Sequence, residues 1–174
     1  MARAVVELRD ITMDDLPMYE RSLTDPRMLV HLGGKPPPQD LSEKLRGIVD
    51  DVEKGAVWFS VILPDGESGE AAGSVCIWDH EWNGETISEM GWMVLPAFQG
   101  RGLATEGVRS LLQRARSEGR WDVIHAFPAV TNTPSNAICR KTGFSKIEEV
   151  DIEGWGGTLR CNHWRIDLQS AAAG

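Results

Sequence analysis

Glu89-Met-Gly-Trp-Met-Val-Leu95-Pro-Ala-Phe-Gln99-Gly-Arg-Gly102-Leu-Ala104-Thr105-Glu106 is the stretch whose reading settles the architecture of this chain. Its first part, taken from Thr86 to Leu95, has the composition of a strand, and from Gly102 to Glu118 the period changes. There Ala104, Val108, Leu111, Leu112 and Ala115 form one helical stripe, with Gly119 placed as a terminator. A strand therefore feeds a helix through a loop. Pro96 offers no backbone donor, which suits a strand that stops pairing at that point. Gly100 and Gly102 let the backbone turn tightly and approach a ligand. The unpaired amides of the helix start, with its dipole, favour a phosphate or pyrophosphate, and Arg101 could add a countercharge. An ordinary turn also needs glycines, so the spacing alone leaves both readings open.

Working outward, alternation near Val5 to Arg9 predicts a first strand, and Asp10 to Asp14 supplies cap chemistry for a helix over about Met13 to Leu23. Pro26 opens a short second helix. Gly33, Gly34 and Pro36 to Pro38 form a rigid connection before a helix over Leu41 to Lys54, with Leu41, Leu45, Ile48 and Val52 on one face. Val57 to Leu63, Gly73 to Trp78 and Thr86 to Leu95 read as strands, separated by Pro64-Asp-Gly66 and by a loop over Asp79 to Gly84. They make an antiparallel meander. Val123 to Phe127 is a further short strand. Thr133 reads as the N-cap of a helix over Ser135 to Thr142 that ends at Gly143. Strands near Phe144 to Ile152 and Thr158 to Leu168 close the order. The expected fold is α+β, three layers around one mixed, mostly antiparallel sheet.

The 174 residues suit a single domain, taken as 1–169 with Ser170 to Gly174 as a frayed tail. Eighteen Lys and Arg against 26 Asp and Glu leave a net charge of -8. Such a balance disfavours a general nucleic-acid binder and favours cationic partners such as amines, polyamines or basic peptides. The longest apolar stretches, Ala56 to Leu63 and Met90 to Phe98, are about half of what a membrane helix needs, so no membrane partner is expected. The start, Met1 to Glu7, has no apolar leader region, and a cytosolic, cytoplasmic protein is the simplest expectation. Cys76, Cys139 and Cys161 form no paired motif and read as buried thiols. His31, His80, His125 and His163 show no ligand spacing, so metal dependence is not expected.

Two familiar phosphate loops are excluded. No Walker run occurs, and Gly100-Arg-Gly102-Leu-Ala lacks the third glycine of the dinucleotide fingerprint, Thr105 standing there, while the preceding strand belongs to an antiparallel meander. The segment Gln99-Gly-Arg-Gly102-Leu-Ala104 instead resembles the Gln/Arg-x-x-Gly-x-Gly/Ala motif of the GNAT superfamily of N-acetyltransferases, which lies between a strand and a helix in the same way. A second block, Asn132-Thr-Pro-Ser135-Asn-Ala-Ile-Cys-Arg-Lys141-Thr-Gly143-Phe144, is similar to that family's N-x-x-S-x-x-x-x-x-K-x-G-F segment. With the helical first third and closing strand pair, the resemblance spans residues 5 to 168. It is strongest to the branch of ribosomal-protein N-terminal acetyltransferases, RimJ/RimL-like.

The resemblance implies acetyl-CoA-dependent transfer of acetyl to a primary amine by direct attack in a ternary complex. The acceptor would be a protein or peptide N-terminus, a polyamine, or a small amine metabolite or antibiotic. By carry-over, the amides of Gln99, Gly100, Arg101, Gly102, Leu103 and Ala104, with Thr105, would hold the pyrophosphate. Met93, Val94 and Leu95 would face the pantetheine, the Val94 amide polarising the thioester carbonyl, and Asn132 would hydrogen-bond the same arm. A homodimer is compatible with the resemblance.

The chemistry requires two further groups. A protonated amine must lose a proton before it attacks, and Glu89 is the candidate base or ammonium ligand. By period two it lies with Ile87, Gly91 and Met93 on an apolar strand, where desolvation raises a carboxyl pKa. The alternative is a carboxylate that anchors a loop or pairs with an arginine. The leaving thiolate needs a proton donor, and the tyrosine that many relatives use is missing, because Tyr19 in the first helix is the only tyrosine. Ser135 is the candidate in its place, against a plain capping role.

Among the seven tryptophans, Trp82 and Trp155 lie in polar or glycine-rich surroundings and are candidates to line an acceptor pocket; the others read as core. Asp79, Glu81 and Glu85 read as a solvated acidic loop. A CoA-binding sensor or scaffold without acetyl transfer is the rival to the enzyme.

Overall fold

The computed structural model describes residues 4–64 and 69–169. A seven-stranded sheet runs in the order β1-β2-β3-β4-β5-β7-β6, with helices on both faces. The strands are β1 (Val6–Asp10), β2 (Trp58–Pro64), β3 (Gly73–Trp82), β4 (Glu85–Val94), β5 (Val123–Ala126), β6 (Ser145–Gly154) and β7 (Gly157–Asp167). The helices are α1 (Leu16–Thr24), α2 (Pro26–Leu29), α3 (Leu41–Glu53), α4 (Leu103–Glu118) and α5 (Thr133–Thr142). Every pairing is antiparallel except that of β4 with β5. This is the α+β sheet that the sequence predicts. The proposed tail, Ser170 to Gly174, and most of the Pro64-Asp-Gly66 turn lie outside the described residues.

Local chemistry sets the helix ends. Asp40 accepts from the amides of Ser42 and Glu43 at the start of α3, and Gly119 and Gly143 close α4 and α5 in the left-handed conformation. At the entry to α1, Thr12, within the stretch Asp10 to Asp14, is the N-cap of a single turn over Met13–Asp15, and Asp15 completes its capping box. Its carboxylate accepts from the Thr12 amide and takes a bidentate grip from Arg9.

The apolar stripe of α4 lies across one face of the sheet, where Val108, Leu111 and Ala115 are fully buried with Ile62, Val75, Ile77 and Met90. Gly107 is small because Ile62 and Val75 occupy the place a side chain would take. The opposite face carries α1, whose Tyr19 packs edge-on to Phe59 of β2. Burial pushes the Tyr19 hydroxyl up to about 12, as it does the Cys76 thiol, so neither offers a proton or nucleophile near neutral pH.

One expectation is corrected here. Residues 79–82 are not a loop: β3 runs through Asp79, His80 and Glu81 to Trp82, and a two-residue Asn83-Gly84 turn leads directly into β4. Both turn residues have positive φ, 51° and 82°, the backbone that a tight hairpin of right-twisted strands requires. The acidic side chains are pinned on this hairpin: Asp79 accepts from Ser88 and from the Trp121 indole, and Glu81 from Thr86.

Candidate active site

The site opens where the sheet parts. β4 and β5 pair at a single position, Glu89 with His125; beyond it β4 continues to Val94 while β5 ends at Ala126. The Leu95 amide donates to the Ala72 carbonyl on the β3 side. Alternation along an antiparallel strand therefore turns the amides of Trp92 and Val94 the other way, into the gap. The Val94 carbonyl is already held by the Gln99 side-chain amide at 2.9 Å. Gln99 thus ties the end of β4 to the loop that follows.

That loop fits a diphosphate. Gly100 and Gly102 have φ of 76° and 78°, and Gly102 is the N-cap of α4 without any side-chain cap. A methyl group built on Gly100 would meet nothing within 4 Å, and one on Gly102 only the Ala4 side chain at 3.9 Å. Among the described residues no side chain caps the first amides of this 16-residue helix. Arg101 is exposed beside them, its guanidinium 5.7 Å from the Phe98 ring. Leu103 is buried, whereas Ala104 and Thr105 are half-buried on the first turn. Within the gap Met93 is half-buried, and Val94 and Leu95 are buried.

The start of α5 forms the far wall. Its N-cap is Asn132 and not Thr133, because the Asn132 side chain accepts from the Ser135 amide at 3.1 Å. Capping is thus removed from Ser135. Its hydroxyl accepts a hydrogen bond from the Trp92 indole at 3.2 Å, which holds Oγ against β4 and leaves its own proton available. The Asn132 oxygen is committed to the cap. Asn136 anchors the helix beneath, donating to the carbonyls of Ala129 and Asn132 and accepting from Asn162 and Trp164.

On the other face of β4, Glu89 is paired among the described residues with no arginine but with His80, whose Nε2 lies 2.7 Å from Glu89 Oε2. Burial raises the Glu89 carboxyl above the ordinary range, while the charge and hydrogen bond of His80 act against that rise. Beside this pair, His125 Nδ1 and His163 Nε2 meet at 2.8 Å. Phe127 and Trp82 lie against His163 with ring centroids 4.8 and 5.0 Å away. Burial, then the charges of His163, Arg165 and His80, lowers His125 to about 4, so this wall is neutral and aromatic near pH 7. Trp82 thus lies on the face that carries Glu89. Trp155 sits at the β6–β7 turn with its indole N–H bonded to the Lys35 carbonyl at 2.7 Å and Lys44 over its ring. It braces the α2–α3 connection.

Sequence reasoning missed His80, Trp92 and the Gln99 side chain as parts of this arrangement. The signal for His80 was present, since Trp78, His80 and Trp82 alternate up to an Asn-Gly turn. The isolated histidines are not isolated in space; three of them converge on one face. Among the described residues no group of three or more His, Cys, Asp or Glu could hold a metal ion, and no helix is long and apolar enough to cross a membrane.

Residues 6–145 match the family described as the acetyltransferase (GNAT) domain. No curated protein matches the chain by sequence. Among solved structures, a putative acetyltransferase of Salmonella typhimurium with its cofactor acetyl-CoA superposes with a TM-score of 0.74 at 20% identity, covering 94% of each chain. RimJ of Mycobacterium smegmatis, in complex with CoA-disulfide, gives 0.76 at 20% identity over 97% of this chain and 86% of its own. The ribosomal-protein-S5-alanine acetyltransferase of Vibrio fischeri gives 0.74 at 14% identity over 96% and 97%. At these identities the likeness is one of fold.

Proposed function

Because the chain belongs to the acetyltransferase (GNAT) family, and so is an acyltransferase with acetyl-CoA as co-substrate, we propose that it acetylates a primary amine by direct attack in a ternary complex. The observation that carries the proposal is Glu89: a half-buried carboxylate on β4, at the last pair before the sheet parts, with its pKa raised. A base so placed is matched to a proton held by an ammonium near neutral pH.

Bound acetyl-CoA supplies an electrophilic thioester carbonyl and a thiolate leaving group. Glu89 binds and orients the ammonium and takes its proton. The Val94 N–H, turned into the gap, donates to oxygen where negative charge develops, a fixed donor of a kind worth about 3 kcal/mol or more. Ser135, held by Trp92, keeps a hydroxyl proton at the far wall for the departing sulfur. Its position answers the absent tyrosine. The amides of residues 99–104 fix the anionic end, which makes attack effectively intramolecular. Trp82 and Phe127, tilted against each other, give the acceptor an aromatic wall beside the carboxylate.

The likeness in fold to RimJ and to a ribosomal-protein-alanine acetyltransferase supports a protein α-amine as the acceptor, within the RimJ/RimL-like branch. The test is thiol release from acetyl-CoA with peptides beginning with Ser or Ala, spermidine and a small aliphatic amine. Peptide turnover that Glu89→Gln lowers about 10²- to 10⁴-fold is expected. Turnover with no amine, or full activity in Glu89→Gln, overturns the proposal.

A further inference from the structure

The contact between His80 and Glu89 has a defined proton content. His80 Nδ1 lies 3.1 Å from the Glu81 carbonyl, which can only accept, so Nδ1 carries a hydrogen. Nε2 then faces Glu89 Oε2 at 2.7 Å. Were the imidazole neutral and the carboxyl ionised, two lone pairs would oppose each other at that distance. A proton between them removes the conflict, whichever atom holds it. The pair is therefore one unit that holds one shared proton.

The pair also has an exit to water. The His80 side chain is 33% exposed and that of Glu89 21%, so the imidazole is the wetter end. Trp78 flanks the ring at 6.2 Å. The other groups facing it are His125 on β5, with His163 and Arg165 behind it on β7 and Glu148 of β6 at 3.7 Å from His163. His125 and His163 are neutral near pH 7, which leaves Glu89 as the charged partner of His80.

We propose that His80 is a positioning residue that sets the proton affinity of Glu89 and passes its proton to solvent. This rests on Glu89 as the base that receives the ammonium proton. The balance is simple. The unprotonated pair takes one proton from the ammonium, leaving a neutral amine, and the proton lodges between Oε2 and Nε2. It then leaves to water at the exposed edge of the Nε2–Oε2 contact, Nδ1 keeping its hydrogen on the Glu81 carbonyl, which restores the unprotonated pair for the next turnover. Without His80 the charge and hydrogen bond that oppose the effect of burial are gone, so the Glu89 carboxyl holds its proton to higher pH.

The test is the pH profile of kcat/KM and the kcat against KM split, with acetyl-CoA and an Ala- or Ser-initiated hexapeptide as probe. His80→Gln keeps a donor toward Glu89 but cannot titrate. Its acidic limb is expected to move to higher pH by roughly one unit or more, with kcat about tenfold down and KM for the peptide unchanged. His80→Asn retains only the bond to the Glu81 carbonyl; it should show the same shift and a larger loss of kcat, partial rescue by Gln being the mark of positioning. If Glu89→Gln abolishes activity while both His80 variants keep the wild-type limb, the role of His80 is overturned and the base stands. If Glu89→Gln is fully active, the base and the pair fall together.

Discussion

Gly33 and Gly156 touch backbone to backbone: a Cβ on Gly33 would lie 2.7 Å from Gly156 Cα, and one on Gly156 would lie 2.6 Å from Gly33 Cα. This contact joins the α2–α3 connection to the β6–β7 turn, beside the bond from Trp155 to Lys35. Main chain cannot swing aside as a flexible side chain can, so neither position has room for a methyl group. Gly156→Ala should therefore lower stability by about 1–3 kcal/mol, read as a fall in Tm. Gly33→Ala should cost more, since it adds strain at φ 90°.

Gly102→Asp separates the anion loop from helix stability. A carboxylate at the start of α4 interacts favourably with the helix dipole, which offsets much of the strain of a non-glycine residue at φ 78°. The same charge stands where a diphosphate would bind. Thermal stability should change by less than about 1 kcal/mol while calorimetric CoA affinity falls at least about tenfold. Unchanged affinity would contradict the assignment of this loop.

Asn132 and Ser135 should respond differently to truncation. Asn132→Ala removes the cap of α5 and should destabilise by about 0.5–2 kcal/mol in chemical denaturation. Ser135→Ala leaves that cap in place and removes the hydroxyl held by Trp92. It should unfold close to the wild type and lose roughly tenfold or more in kcat, since a positioned proton donor contributes at least that much.

The His125–His163 contact predicts loss of stability in acid. His125 is lowered to about 4 in the folded protein, below its ordinary value of 6.5, and His163 is lowered as well, mainly by burial. The unfolded chain therefore binds more protons, so their contribution is fully present above about pH 6.5 and fades as pH falls toward 4. Unfolding between pH 6.5 and 4 should take up to about one extra proton for His125, and His125→Asn should flatten that slope. An equal slope in the variant would place the sensitivity elsewhere.

Much of this was legible in the residues. Period-two and period-3.6 patterns are local properties, and the strand–loop–helix junction at residues 89–106 appears in the structure within a residue or two of where those patterns place it. Gly119 and Gly143 end their helices for the reason any glycine at such a place would: the left-handed cap admits no Cβ without strain. The errors were also local. Asp79 to Gly84 reads as loop because charge and glycine are loop-like. In the fold, cross-strand bonds to Ser88 and Thr86 hold those acids on a hairpin. Thr133 and Asn132 are both good caps, and only the turn of the chain after β5 decides between them.

The sequence by itself determined the order of elements, the glycine loop before the helix, and the identity of Glu89 and Ser135 as chemical candidates, because each depends on neighbours a few bonds away. Tertiary structure alone decided that His80 lies against Glu89, that Trp92 holds Ser135, and that β4 and β5 part after one pair. Those residues are 9 and 43 positions apart in the first two cases. Contacts between separate elements follow from strand register and from where the sheet opens, and neither is written in the composition of any single segment.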